Sequence, residues 1–124
     1  IDPRRGYWTI PAGYLELNEM AEVGAMREAL EEACATIDIE GLISVYTIPR
    51  ISQVQLIYRA TVCDGVFSAG EETLELQLFE WGDIPWADLA FPSVKWALEH
   101  WKLIKDLECW SPFTNPSGED GSYL

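Results

Sequence analysis

The chain of 124 residues has the length of a single domain, and its 48% hydrophobic content, which includes six Trp, is enough for a buried core. Its formal net charge is −13, the opposite of the basic surface that binds nucleic acid. An anionic membrane would repel it as well. Composition therefore argues against nucleic acid and membrane surfaces as partners.

The cysteines indicate neither a disulfide framework nor a zinc site. Cys34, Cys63 and Cys109 are odd in number, far apart in the sequence and include no CxxC pair. A reducing compartment is the default expectation for such a chain. No apolar run approaches the length of a membrane span, and no signal peptide is visible.

The first predicted elements lead into an acidic helix. Tyr7–Ile10 is predicted as a short strand and Pro11–Gly13 as a loop. Asn18 is a candidate N-cap for the helix, which continues to about Ala35. Alanines at every fourth position give this helix a narrow apolar side, which predicts close packing of its backbone against a neighbour.

Three glutamates of this helix are the main candidate for a functional site. Glu28, Glu31 and Glu32 stand at i, i+3 and i+4 and so share one helical face. Like charges at this spacing repel, and a hard divalent cation with oxygen ligands would offset the repulsion. A solvated acidic face is the alternative reading. Arg27, the only cation in the helix, adjoins the cluster and favours the first reading.

Further along, β-rich segments precede a last helix and a polar end. We predict strands at 36–39, 42–48, 53–63 and 76–81, an acidic loop at 64–72, a short helical piece at 87–89 and a helix at 93–107. His100, the only histidine, lies in that helix without a partner motif, and a structural or surface role is expected. Segment 109–124 is rich in Pro, Gly and Ser and is predicted to be a disordered tail.

The acidic helix and the loop before it carry a recognisable motif. Its positions are, in order, Gly13, Glu19 after five residues, Arg27-Glu28 after seven more, Glu31-Glu32, and Cys34-Ala35. This pattern resembles the Nudix box of the Nudix hydrolases and matches it at every charged position. The family has glycine where this chain has Cys34, which concerns the exit of the helix rather than the charged cluster.

The resemblance extends to the rest of the chain and implies a fold. Segments from 48 to 92 look like the branch that includes the plant plastid FAD pyrophosphatase and bacterial zinc-ribbon Nudix proteins. The implied fold class is α+β, a Nudix fold with a mixed β-sheet sandwiched between helices (α/β/α). Because Nudix domains generally have strands before this point, we expect an N-terminally truncated domain over 1–108, followed by the tail. The branch leaves a cytoplasmic or plastid location open.

The resemblance also implies roles for individual residues. Glu28 and Glu32 are the expected ligands of Mg²⁺ (or Mn²⁺), with Glu31 assisting and the Ala12 carbonyl completing the site. Arg27 is expected to pair with Glu19 or to orient Glu28. The general base stays open among Glu28, Glu31 and the loop residue Glu72.

The implied activity is hydrolysis of the pyrophosphate bond of a nucleoside diphosphate linked to X, namely FAD, ADP-ribose or NADH, with release of AMP. Tyr7, Tyr46 and Tyr58 are candidates for stacking on the substrate's rings, although core packing is the expected role for most of the aromatic residues. Two alternatives remain: a Nudix domain that binds a nucleotide without cleaving it, and a non-functional fragment. A homodimer is also left open.

Overall fold

The computed structural model describes residues 7–63, 68–70 and 77–122. Their regular elements are α1 (Ala21–Ala33), β1 (Ile37–Ile48), β2 (Gln53–Val62) and α2 (Pro92–Ile104), with short 3₁₀ helices at Pro49–Ile51, Trp81–Asp83 and Trp86–Asp88. This mixture of helix and strand agrees with the α+β prediction. The described residues divide into two compact units, one holding 7–10, 42–59 and 85–122, the other holding 11–41, 60–63, 68–70 and 77–84.

The sheet of the described residues is a hairpin of β1 and β2. Its connection is the 3₁₀ turn Pro49–Ile51 followed by Ser52, whose φ of 51° closes the turn. So short a connection allows only antiparallel pairing. The sequence predicts separate strands at 36–39 and 42–48, but the structure has one continuous strand. The strand predicted at 53–63 is confirmed and ends at Val62.

A small apolar core joins β1 to α2 in the first unit. Tyr46 is fully buried, and its ring meets that of Trp96 edge-on at a centroid distance of 5.2 Å. Ile48 and Ala97 complete this cluster. Pro92 occupies the first turn of α2, where its missing N–H costs nothing. Val94, Ala97 and Ile104 form the buried side of this helix.

The end of the chain corrects the prediction of a disordered tail. Within 109–122, the indole of Trp110 donates a 2.8 Å hydrogen bond to the Leu42 carbonyl on β1. Phe113 then donates one 2.9 Å backbone hydrogen bond to β1 and accepts another, and it forms a parallel bridge with Ser44. The backbone N–H and C=O groups at the edge of a strand can pair with a neighbouring segment. The prediction of disorder rests on the composition of the segment alone, which does not reflect this pairing.

Two other strand predictions are wrong. Tyr7–Ile10 contributes only one isolated bridge, between Trp8 and Leu89. Residues 77–80 have no regular structure and lead into the Trp81–Asp83 turn, while Leu76 lies outside the described residues. Gly and Asp in this turn favour a bend over an extended ladder.

The start of α1 also differs from the prediction. The helix begins at Ala21 with Met20 as N-cap and without a side-chain cap. Asn18 instead takes a left-handed conformation with φ of 63° in the preceding turn, a conformation that Asn tolerates well. The alanine side of the helix is confirmed at the buried Ala29 and Ala33. In the described part of the chain, no helix has the length and apolar character needed to cross a bilayer.

Candidate functional site

Helix α1 carries all three glutamates that the sequence places on one face. The Glu28 side chain is only 16% exposed, whereas that of Glu31 is 56% exposed. Glu32 is half-buried. Because the helix is continuous from Ala21 to Ala33, its 3.6-residue period holds these side chains on a single stripe.

The loop before α1 lies directly against this stripe. The Ala12 N–H donates a 2.8 Å hydrogen bond to Glu32 Oε2, a contact between residues twenty positions apart. Gly13 lies so close to Glu28 that a Cβ at this position would be 2.2 Å from the carboxylate carbon. A larger residue here would have to push the Glu28 carboxylate aside, so glycine allows this carboxylate to lie against the loop. The structure thus brings together Ala12, Glu28 and Glu32, three of the four predicted metal ligands.

Arg27 organises the acidic side chains around it. Its guanidinium donates to both carboxylate oxygens of Glu19 at 2.8 and 2.9 Å and to Glu28 Oε1 at 2.7 Å. It also reaches Glu31 Oε2 at 3.2 Å and the Tyr14 carbonyl at 2.9 Å. The planar fork of an arginine suits such multiple recognition. Both partners predicted for Arg27, Glu19 and Glu28, are in contact with it.

The positive charge of Arg27 and the negative charges of the carboxylates around it stabilise one another. Hydrogen bonds from Arg27 hold the pKa of the Glu19 carboxyl below its usual range. The same contacts, first with Glu19 and then with Glu28, raise the pKa of the guanidinium. Glu16 adds a further ion pair at 3.0 Å. Arg27 therefore stays charged and gives Glu28 a fixed orientation. Sequence reasoning missed Glu16 and the Tyr14 carbonyl because they lie in an irregular loop.

A solved structure supplies the observation that decides the family. The crystal structure of a NUDIX hydrolase from Nitrosomonas europaea matches with a TM-score of 0.81 and 40% sequence identity, covering 93% of this chain and 66% of that one. The chain belongs to the Nudix hydrolase superfamily. The Nudix fold, and with it the predicted fold class, is confirmed by this match.

Curated relatives agree with the Nudix assignment. An ADP-ribose pyrophosphatase from Methanocaldococcus jannaschii is 27% identical over 113 residues, which are 88% of this chain and 62% of the relative. A MutT-like protein from Streptomyces ambofaciens is 34% identical over 68 residues, 55% of this chain and 44% of that protein. The chain therefore spans less than two thirds of the length of these relatives. No protein-family model matches it.

The exit of the Nudix helix shows how Cys34 takes the place of glycine. Cys34 has φ of 50° and ψ of 27°, the left-handed conformation that a glycine would adopt without strain. Its N–H bonds to the Leu30 carbonyl at 3.0 Å, and the Ala35 N–H bonds to the Ala29 carbonyl at 3.3 Å. The helix therefore ends as a glycine-terminated helix would, and the departure from the motif leaves the carboxylates in place.

The donor chemistry of the Nudix cluster suits a hard divalent cation, because its side chains offer carboxylate oxygens. Among the described residues, however, no group of three or more His, Cys, Asp or Glu side chains converges on a common metal position. The reason lies in the contacts above: Arg27 holds Glu28 and Glu31, and the Ala12 N–H holds Glu32. Metal binding would therefore require Glu31 and Glu32 to turn towards Glu28, whose orientation Arg27 holds.

Two further expectations concern residues outside the acidic stripe. Glu72, a candidate general base, lies outside the described residues, so its role stays a prediction. Tyr46 is 0% exposed, and the proposal that it stacks on a substrate ring is wrong.

A cavity of about 290 Å³ lies beside α1, but none of the three glutamates lines it. Its lining residues are Val23, Met26, Arg27, Leu30, Ala35, Thr36 and Ile37.

Proposed function

We propose that this Nudix protein hydrolyses the pyrophosphate bond of a nucleoside diphosphate linked to X, with Mg²⁺ or Mn²⁺ as the metal and AMP as a product. ADP-ribose is the first candidate substrate, with FAD and NADH as the others. The observation that carries the proposal is the position of the Ala12–Gly13 loop on the acidic stripe: it bonds to Glu32 and packs on Glu28. The name of the archaeal relative supports the choice of ADP-ribose.

Cleavage of a phosphate anhydride needs an activated water and compensation of the charge that develops on the phosphates. A bound divalent cation supplies both effects, since it polarises the phosphate oxygens and lowers the pKa of a bound water. Glu28, Glu32 and the Ala12 carbonyl would hold the metal, with Glu31 assisting. Arg27 would keep Glu28 in a fixed orientation through the 2.7 Å contact.

Removal of the water's proton has three candidates, Glu28, Glu31 and Glu72. The first two lie on α1, and Arg27 donates to both. A carboxylate that binds the metal or Arg27 tightly is a poor base, because both contacts favour its deprotonated form. Under the proposal, the base is therefore whichever of the three is free of such contacts in the substrate complex.

The overall charge of the chain is consistent with a metal in this role. An acidic protein with net charge −13 repels an anionic dinucleotide. A divalent cation placed between the carboxylates and the phosphates would attract both groups and so compensate the repulsion between them. Under this proposal, the metal is needed for substrate binding as well as for the chemical step.

The proposal is tested by assaying the full-length protein with ADP-ribose, FAD, NADH and nucleoside triphosphates in the presence of Mg²⁺ or Mn²⁺. We expect AMP from at least one of the first three. Glu32→Gln should lower kcat by about 100-fold or more, as loss of a catalytic group does. Glu22→Gln is the matched control, because Glu22 is exposed in the first turn of the same helix. Equal turnover by the wild type and Glu32→Gln would contradict the proposed site.

A second candidate is a Nudix domain that binds a nucleotide without cleaving it. The arrangement of the described carboxylates favours it, since they turn towards Arg27 and Ala12 rather than towards a shared metal position. Equilibrium dialysis with ADP-ribose separates the two candidates. Tight binding without AMP release, with Mg²⁺ or Mn²⁺ at millimolar concentration, would establish the sensor.

A further inference from the structure

The C-terminal end of α1 is held by a segment from a distant part of the chain. The Gly70 N–H donates a 3.0 Å hydrogen bond to the Glu32 carbonyl, and the Ser68 N–H donates one of 3.0 Å to the Ala33 carbonyl. The last carbonyls of a helix have no partner within it. Segment 68–70 therefore satisfies two of them, in the turn that carries Glu31 and Glu32.

The contact at Gly70 has no room for a side chain. A Cβ there would lie 1.8 Å from the Glu31 carbonyl oxygen, 2.9 Å from its carbon and 3.4 Å from the Glu32 Cα. These neighbours are backbone atoms of a helix, so they cannot turn away as the end of a flexible side chain could. Any larger residue at this position must push the segment and the helical turn apart.

Another glycine lacks this constraint and provides a comparison. A Cβ at Gly82 would meet nothing within 4 Å. Gly82 is exposed in the 3₁₀ turn Trp81–Asp83. Neither Gly70 nor Gly82 has a positive φ, so an alanine at either position avoids left-handed strain, and at Gly82 it avoids a steric clash as well.

We infer that Gly70 is a positioning residue for the metal site, because it lets segment 68–70 dock on the last turn of α1 and so fixes the carboxylates of Glu31 and Glu32. The inference rests on the proposed function, in which these carboxylates bind a divalent cation. Metal ligands must be held closely in place, and loss of the groups that orient them typically lowers affinity or activity by about 10- to 100-fold. A displacement of the turn by about 1 Å is enough for such an effect.

The test compares Gly70→Ala with Gly82→Ala in the full-length protein. Mn²⁺ affinity is measured by the loss of the free-ion EPR signal, at a temperature where thermal unfolding shows each variant to be folded. We expect Gly70→Ala to weaken Mn²⁺ binding by about 10-fold or more, with kcat/KM for the best substrate falling and recovering as the Mn²⁺ concentration is raised. Gly82→Ala should bind Mn²⁺ as the wild type does.

The outcomes separate the inference from the proposed function. A wild type that binds no Mn²⁺, with or without nucleotide, overturns the proposed function itself. A wild type that binds Mn²⁺ and a folded Gly70→Ala that binds it equally well overturn the inference alone.

A second variant tests the inference should Gly70→Ala not fold. Ser68→Pro removes the N–H bonded to the Ala33 carbonyl and adds no atom at Gly70. Its Mn²⁺ affinity should fall about threefold or more, as expected for the loss of one backbone hydrogen bond. Unchanged affinity there would equally overturn the inference.

Discussion

The buried phenol of Tyr46 lies 2.5 Å from Nδ1 of His100, which joins β1 to α2. The imidazole in turn stacks on the ring of Phe113 at a centroid distance of 4.2 Å and an interplanar angle of 2°. Three parts of the first unit, namely the hairpin, the last helix and the C-terminal segment, therefore meet at one histidine. This agrees with the structural role that the sequence predicts for His100.

This contact makes stability depend on pH. Burial lowers the pKa of His100, and the nearby Glu99 carboxylate opposes the shift only in part. Burial also raises the pKa of Tyr46 to about 12, so the phenol keeps its proton. Because the folded pKa of His100 lies below the unfolded value of about 6.5, the unfolded chain binds a proton more readily. The stabilisation is present above about pH 6.5 and is lost as pH falls through the folded pKa.

We expect the Tm of the wild type to fall between pH 7.5 and pH 5.5, and to fall less in His100→Gln, whose amide does not titrate. Thermal unfolding followed by circular dichroism at several pH values measures this. Parallel curves for the two proteins would show that His100 does not contribute to the pH dependence in this range.

A second prediction concerns the strained exit of α1. Cys34 is a non-glycine residue with φ of 50°, a conformation that costs an L-residue roughly 1–2 kcal/mol. Glycine removes this cost but gains freedom in the unfolded chain, which offsets about 0.5–1 kcal/mol of it. Cys34→Gly should therefore raise the free energy of unfolding by about 0.5–1 kcal/mol, measured by urea denaturation. Cys34→Ala is the control, because alanine retains the Cβ. An equal gain in both variants would indicate a cause other than backbone strain.

The C-terminal segment provides a third prediction. The Asn115 side chain accepts a 2.9 Å hydrogen bond from the Thr47 N–H and donates one of 2.8 Å to the Thr47 carbonyl. It thus pairs with the edge of β1 as a neighbouring strand would. The same amide donates a third hydrogen bond, of 3.1 Å, to the Glu119 carbonyl. Asn115→Ala should lower the free energy of unfolding by about 1–2 kcal/mol, because it removes these three exposed hydrogen bonds. It should also speed proteolysis within 109–122. Thr114→Ala, at an exposed neighbouring position, should change neither; a segment cut equally fast in both variants would contradict the docking.

The features that the sequence predicts correctly are those with local determinants. The two helices, the strand at 53–62 and the approach of Arg27 to Glu19 and Glu28 were all predicted. The acidic stripe follows from the helical period, and the proline at the start of α2 marks its first turn. The sequence-based prediction fails at the edge of the hairpin, where the composition of 109–122 predicts disorder but the structure has this segment docked on β1.

By itself, the sequence determined that an acidic helix presents Glu28, Glu31 and Glu32 on one side, because side-chain direction along a helix depends only on spacing. Only the tertiary structure decided what faces that side. The Ala12 N–H reaches Glu32 from twenty residues away, and Gly70 reaches the same helical turn from further still. Such contacts depend on backbone groups, which every residue has, and on the paths of loops, so no pattern of side chains indicates them.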